Sequence, residues 1–191
     1  MQKLQTYLTS LLPLSTEAWA EGLTYFSKQK LNKGEIFIQQ HELCRHIGFV
    51  AAGSLRVFFT NEQGEDITSC FCTENMFTTS FKSFVAQQPS ALTVIALEDT
   101  ELYVISYDNL QKLYSISTGW QNIGRILTEK AYLSLEQHSI SLNKESARDK
   151  YLRLLEEQPK VLLTAKMDDI ASYLGVTRRT LSRIRSTLAK A

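Results

Sequence analysis

The spacing of apolar residues changes character along the chain. Near the start, Leu4, Leu8, Leu11 and Leu12 share one helical face while Gln5, Thr6, Thr9 and Ser10 interrupt the run, which predicts an amphipathic helix and not a signal peptide, despite Lys3 and the "AWA" at 18 to 20. Residues 30 to 107 then break into short β-rich runs: "EIFIQ", "HIGFVAAG", "SLRVFFT", "DITSCFC", "LTVIALED" and "TELYVIS". Gly34, Gly53, "NEQG" at 61 to 64 and Pro89 punctuate them as turns do. The spacing predicts a small antiparallel double-sheet domain. Beyond Tyr107 the pattern becomes helical.

Between Gly119 and Leu142 the helix carries two apolar stripes. Ile123, Ile126, Leu133 and Ile140 form a heptad-like line, and Trp120, Leu127, Ala131, Leu135 and Leu142 form another, about 140° away at the 3.6-residue period. Two apolar faces need two covering surfaces. The double-sheet domain supplies one, and the same helix of a second copy is the expected other, paired as a short coiled coil that Lys130 and Gln137 weaken. A helix enclosed within a monomer is the alternative. "SLNKES" at 141 to 146 then breaks the stripe and offers Ser or Asn caps to a next helix, "ARDKYLRLLEEQ", which Pro159 ends. The expected units are therefore residues 1–118, a dimerisation helix at 119–142 and a C-terminal domain at 143–191.

That C-terminal unit contains "IASYLGVTRRTLSRIR". Two helices crossing around a tight turn need a small residue on the inner face of the first and a glycine where φ turns positive. Ala171 and Gly175 stand there, Ile170, Leu174, Val176, Leu181 and Ile184 fill the inward positions, and Thr177 suits the cap of the second helix. This predicts a helix-turn-helix. On the second helix, Leu181, Ile184 and Leu188 mark the buried direction, so Arg179, Ser182, Arg183 and Ser186 point the opposite way, toward a DNA major groove. Arg178 and Arg185 lie at the margins, where phosphate is the natural contact, although Arg178 is near enough to the N-terminus to reach a base. An arginine fork can donate twice to guanine. A merely solvated basic face would leave unexplained the lack of any acid from Gly175 to Ala191.

Charge adds to this picture through its distribution. The formal net charge is +1, but residues 144–191 hold 11 basic and 6 acidic residues, while the preceding 143 hold 10 and 14. Only the C-terminal part is equipped for a polyanion. Cys44, Cys70 and Cys72 are too few and too odd in number for a disulfide framework, which fits a reducing cytoplasm, and Cys70 and Cys72 share one strand face as core thiols. No apolar run approaches the roughly 18 residues of a membrane span, so no membrane partner is expected.

A β-rich domain, a long helix and a helix-turn-helix, in that order, resemble the Crp/Fnr family of bacterial transcription regulators. The local matches are "FVAAGSLRVFFTNEQGEDIT" at 49 to 68 and "IASYLGVTRRTLSRIR". The resemblance implies an α+β fold: a double-stranded β-helix (jelly roll) of the cyclic-nucleotide-binding type, a dimerisation helix and a winged-helix-like DNA-binding domain. It implies a homodimer on double-stranded DNA, RNA polymerase as a partner, and a ligand that reorients the DNA-binding domains. Arg178, Arg179 and Arg183 match recognition-helix positions that contact operators; the middle one is often glutamate in the family, so Arg179 implies an altered preference. Thr177, Ser182, Arg185 and Ser186 complete the expected DNA-binding set. A β wing that follows this helix in some relatives is not expected before Ala191.

In cyclic-AMP-binding members a glycine-glutamate pair holds the ribose and an arginine-serine-alanine run holds the phosphate. Counting back from "ISYDNL", the matching positions are Thr78 and Thr79, and Pro89, Ser90 and Ala91. Acid and base are both missing, so cyclic AMP is not the expected effector; Thr78, Thr79, Ser80, Ser90 and Ala91 would line a pocket for a neutral polar molecule or for nothing. No cofactor, metal or catalytic group is expected. An iron-sulfur site would need an N-terminal cysteine cluster, and His41, His46 and His138 give no haem pair. The rival is a cupin-like metal-dependent enzyme or ligand-binding protein, but "HELCRH" at 41 to 46 puts its histidines on opposite faces of a strand.

Overall fold

The computed structural model describes residues 1–189, without the side chains of Leu142 and Asn143. Helices α1 (Gln2–Leu11) and α2 (Thr16–Leu23) lead into a sandwich of strands β1 (Ser27–Leu31), β2 (Ile36–Ile38), β3 (His46–Ala52), β4 (Leu55–Thr60), β5 (Asp66–Cys72), β6 (Phe77–Thr78), β7 (Thr93–Ala96) and β8 (Thr100–Ser106). A short helix α3 (Phe81–Ala86) interrupts the strands after β6. One sheet has the order β1-β8-β3-β6 and the other β2-β7-β4-β5, all neighbours antiparallel. Side chains of both inner faces, among them Val50, Leu55, Val57, Val94 and Leu102, form the central core with Phe84 of α3.

Strand β1 extends the expected β region back to Ser27. Its "SKQKL" pairs only with β8 and only Leu31 is buried. An edge strand facing water carries no apolar alternation by which to be recognised. By contrast β3 is buried on both faces: Val50 enters the central core, and Phe49 and Ala51 point outward to a second core shared with Leu4, Leu8, Trp19, Tyr103, Ile105 and Leu113. The N-terminal helices are thus the cover of the first sheet. Lys3 Nζ fastens α1 to that sheet by donating to Ala51 O at 2.7 Å.

After β8 come α4 (Tyr107–Ile116) and the 27-residue α5 (Thr118–Lys144). Ser106 and Ser117 cap them, accepting from Asn109 N–H and Trp120 N–H. Trp120 stacks edge-on against Trp19 at 5.1 Å and donates from Nε1 to Ala18 O at 3.1 Å. Here the two-stripe expectation is corrected in part. Ile123, placed on the seam with a second copy, is buried in its own chain's second core beside Trp120, and Leu127 packs on the same core. The stripes therefore differ along the axis as well as around it. From Thr128 to Gln137 every residue of α5 is exposed, including Tyr132 at 67%, Leu133 at 61% and Leu135 at 65%. Ile126 is half-buried and Ile140 exposed; Leu142 lies outside the described side chains.

Glu145 leaves the helix, and Ser146 caps α6 (Ala147–Glu157), its hydroxyl accepting from Asp149 N–H. Three helices follow: α7 (Val161–Thr164), α8 (Met167–Leu174) and α9 (Arg178–Leu188). Among the described residues no helix is long and apolar enough to cross a membrane.

Gly53 joins β3 to β4 at φ +98°, and a Cβ there would sit 2.7 Å from the Thr100 Cα, on backbone that cannot yield. Gly53→Ala is expected to destabilise the protein by more than about 1 kcal/mol, read as a lowered melting temperature in calorimetry.

Candidate nucleic-acid interface and effector pocket

The helices α8 and α9 meet around Gly175, which closes α8 in the left-handed conformation at φ +68° while Val176 N–H reaches back to Ala171 O. Thr177 then caps α9 by accepting from Thr180 N–H at 3.2 Å. Ile170, Ala171, Leu174 and Leu181 are buried and Val176, Ile184 and Leu188 pack on them. Arg179, Ser182, Arg183 and Ser186 lie exposed on the opposite side of α9, one polar, cationic strip with no carboxylate on its own helix. The marginal arginines are turned back onto the first turn of α8. Arg178 pairs with Asp168 at 3.1 Å, and an Arg185 Nη meets Met167 Sδ at 2.7 Å. Thr177 is exposed as well. Arg178 is therefore engaged within its own chain, whereas Arg179 and Arg183 stand presented.

Sequence reasoning missed how this unit sits on the second sheet. Strand β5 pairs Phe71 with Arg56 and, across an irregularity in register, Thr68 with Phe58. The bulge brings both Phe71 and Thr68 onto the outer face. Phe71 is buried among Tyr151, Ile170, Ala171 and Leu174, and its ring meets Tyr173 edge-on at 5.4 Å. Arg56, only 8% exposed, lies 2.9 Å from Asp169 Oδ1 and 3.5 Å from Asp66 Oδ2, donates from Nε to Thr68 Oγ1 at 2.9 Å, and covers the Phe58 ring at 4.2 Å. Thr68 N–H donates to Ser172 Oγ at 2.9 Å, and the Ser172 hydroxyl donates to Asp66 O at 3.2 Å. Lys160 bridges Glu74 and Glu98 at 3.3 and 3.0 Å. The visible signal was "SLRVFFT": a charge between Leu55 and Val57 in an apolar strand needs a partner.

The effector positions are compact. Thr78, Ser80 and Ser90 are buried, Thr79 half-buried, and Ala91 is exposed in the bend after Ser90. Two of the hydroxyls are turned to their own chain, while buried Thr78 Oγ1 has no hydrogen-bond partner: Thr79 donates to His46 O at 3.1 Å and lies 3.3 Å from Cys44 Sγ. Ser90 donates to Leu92 O at 2.7 Å and accepts from Leu92 N–H at 3.0 Å. Neighbouring Ser83 accepts from Cys44 N–H and donates to Gln88 O. His46, held below the usual imidazole range by burial and then by Arg45, pairs with Ser106 on β3, while His41 is exposed in a turn at φ +72°. Among the described residues no group of three or more His, Cys, Asp or Glu is placed to hold a metal.

Residues 28–117 match the cyclic nucleotide-binding domain family. The Cyclic AMP receptor protein of Thermus thermophilus is 24% identical over 173 residues, covering 88% of this chain and 80% of that protein. Among solved structures, FixK2 from Bradyrhizobium japonicum aligns with a TM-score of 0.72 at 20% identity, over 86% of this chain and 85% of that one. A transcriptional regulator assigned to the Crp/Fnr family from Eubacterium rectale aligns with a TM-score of 0.73 at 20% identity, over 97% and 88% of the two chains. The chain carries the fold of these regulators. The jelly roll, long helix and helix-turn-helix follow one another in the order that the family resemblance implied.

Replacing Arg179 or Arg183 by alanine is expected to cost about 1 to 3 kcal/mol each in specific DNA affinity and to relax preference at particular base pairs. Arg185→Ala should weaken all sequences alike. Anisotropy titrations against matched and scrambled duplexes separate the two patterns.

Proposed function

We propose that this protein is a homodimeric, sequence-specific DNA-binding transcriptional regulator that acts in the cytoplasm, with RNA polymerase as a protein partner. The observation that carries the proposal is the α9 strip of Arg179, Ser182, Arg183 and Ser186, exposed opposite a buried Leu181 on a helix-turn-helix without an acid after Gly175. DNA binding by the set Thr177, Arg178, Arg179, Ser182, Arg183, Arg185 and Ser186 follows from it: bases to the strip, phosphates to the margins.

The second copy covers the exposed half of α5. Ile126, Leu133 and Ile140 offer an apolar line to an identical helix, while Ile123 serves its own core. Two recognition helices held in this way bind an inverted repeat with half-sites about one helical turn, roughly 34 Å, apart or a multiple of it. Selection of bound genomic fragments by the purified protein tests the reading, and failure to enrich any symmetric sequence overturns it. Leu133→Glu is expected to give monomers in light scattering, with DNA affinity reduced accordingly.

The Thermus thermophilus relative carries cyclic AMP in its name, yet this chain's pocket is not built for it. Thr79 cannot replace a carboxylate on the ribose, and Pro89 to Ala91 bring no guanidinium to the phosphate. Each lost hydrogen bond to a charged group costs on the order of 1.5 to 3 kcal/mol. Two such losses move a micromolar ligand to about the millimolar range, at about 1.4 kcal/mol per tenfold. Titration calorimetry with cyclic AMP and cyclic GMP should show no saturable heat at micromolar concentration.

A further inference from the structure

We propose that Arg56 is a positioning residue for DNA binding: with Asp169 and Thr68 it locks the helix-turn-helix onto the second sheet in the posture that presents the α9 strip, so that presentation needs no bound ligand. This rests on the DNA-binding reading above. Four observations meet at one place. Arg56 and Asp169 are both nearly inaccessible, at 8% and 9%, and face each other at 2.9 Å across the two units. The guanidinium is further fixed by Thr68 Oγ1 on one side and by the Phe58 ring on another. The adjoining backbone is tied in the same direction, because Thr68 N–H donates to Ser172 Oγ, which donates in turn to Asp66 O. Finally, the contact uses α8 and not the reading face of α9, whose Arg179, Ser182, Arg183 and Ser186 remain exposed.

Apolar burial of Phe71 against Tyr173 and Ile170 gives this contact its area but little direction. The polar groups give the direction. A buried ion pair roughly offsets its own desolvation, but losing one partner leaves a charge stranded. The network therefore admits one registry of α8 on β5 and penalises others. At the ligand positions the hydroxyls of Thr79 and Ser90 are already engaged by the chain's own atoms, so the posture is held from the sheet.

The test measures operator affinity and amide exchange on the full-length protein without added nucleotide. The operator is the sequence enriched by genomic selection. Asp169→Asn keeps the size of the side chain and removes its charge; affinity should fall between about 5- and 150-fold, the usual range of coupling between sites. The Thr68 amide, which donates across the contact, should exchange faster, while light scattering shows an unchanged assembly. Thr68→Val, which keeps a β-branched strand residue and removes only the hydroxyl, should shift both readouts the same way by less, and it carries the test if Asp169→Asn does not fold. Wild-type operator binding matched or exceeded by the folded variants would overturn the positioning role and leave the DNA-binding reading intact. A wild type that binds no DNA fragment would remove both.

Discussion

The sandwich is apolar on more than its inner faces, and this constraint organises everything around it. Phe49, Ala51, Tyr103 and Ile105 point outward from the first sheet and Phe71 from the second. Each large side chain left in water would forfeit about 1.5 to 3 kcal/mol. Helices α1, α2, α4 and the first half of α5 cover one side; the helix-turn-helix unit covers the other. The DNA-binding unit is thus a layer of the fold. Its posture belongs to the same packing that encloses the jelly roll.

How much of this was legible depends on whether the physics is local. Most strands were, because alternation and turn glycines are local signals: "DITSCFC" and "TELYVIS" coincide with β5 and β8. The polar edge strand β1 was not, since exposed lysines resemble a loop. Periodicity grouped Ile123 with the seam and gave no axial limit to the second core, which takes in Ile123 and reaches past it to Leu127. For the recognition helix, angular position alone sufficed to sort Leu181 and Ile184 from Arg179 and Arg183. The Arg56 and Asp169 contact is long-range, so the sequence offers only a misplaced charge in an apolar strand and an acid near the start of α8. Missing charges at the effector positions were readable; the engagement of Thr79 with His46 O was not, because that bond depends on how the β3 and β6 ends meet.

Those hydroxyls bear on regulation. A ligand shifts a conformational equilibrium only by its differential affinity for the two states. At Thr79 and Ser90 an incoming polar group must first displace bonds the protein makes to itself, so each new hydrogen bond is an exchange with little net gain. The phosphate cassette of a nucleotide-binding relative gains through ionic groups absent here. The proposed fixation of the helix-turn-helix unit through Arg56 needs no such ligand, because its contacts lie within the chain.

Tyr173 shows where such encoding meets assembly. Its ring lies edge-on to Phe71 of β5 and stacks on His138 of α5, centroids 5.8 Å apart and planes within 19°. Burial, then Arg153 and Lys150, hold His138 below the usual imidazole range, so the ring stacks in its neutral form at neutral pH. One residue of α8 thus touches both the sheet that docks it and the long helix α5. His138 stands three residues beyond Leu135 and two before Ile140 on that helix. The contact is a continuous chain of packed rings, and energetic coupling along it is a separate quantity. Its geometry nonetheless sets the order of dependence: the sheet orients α8, and α5 braces it.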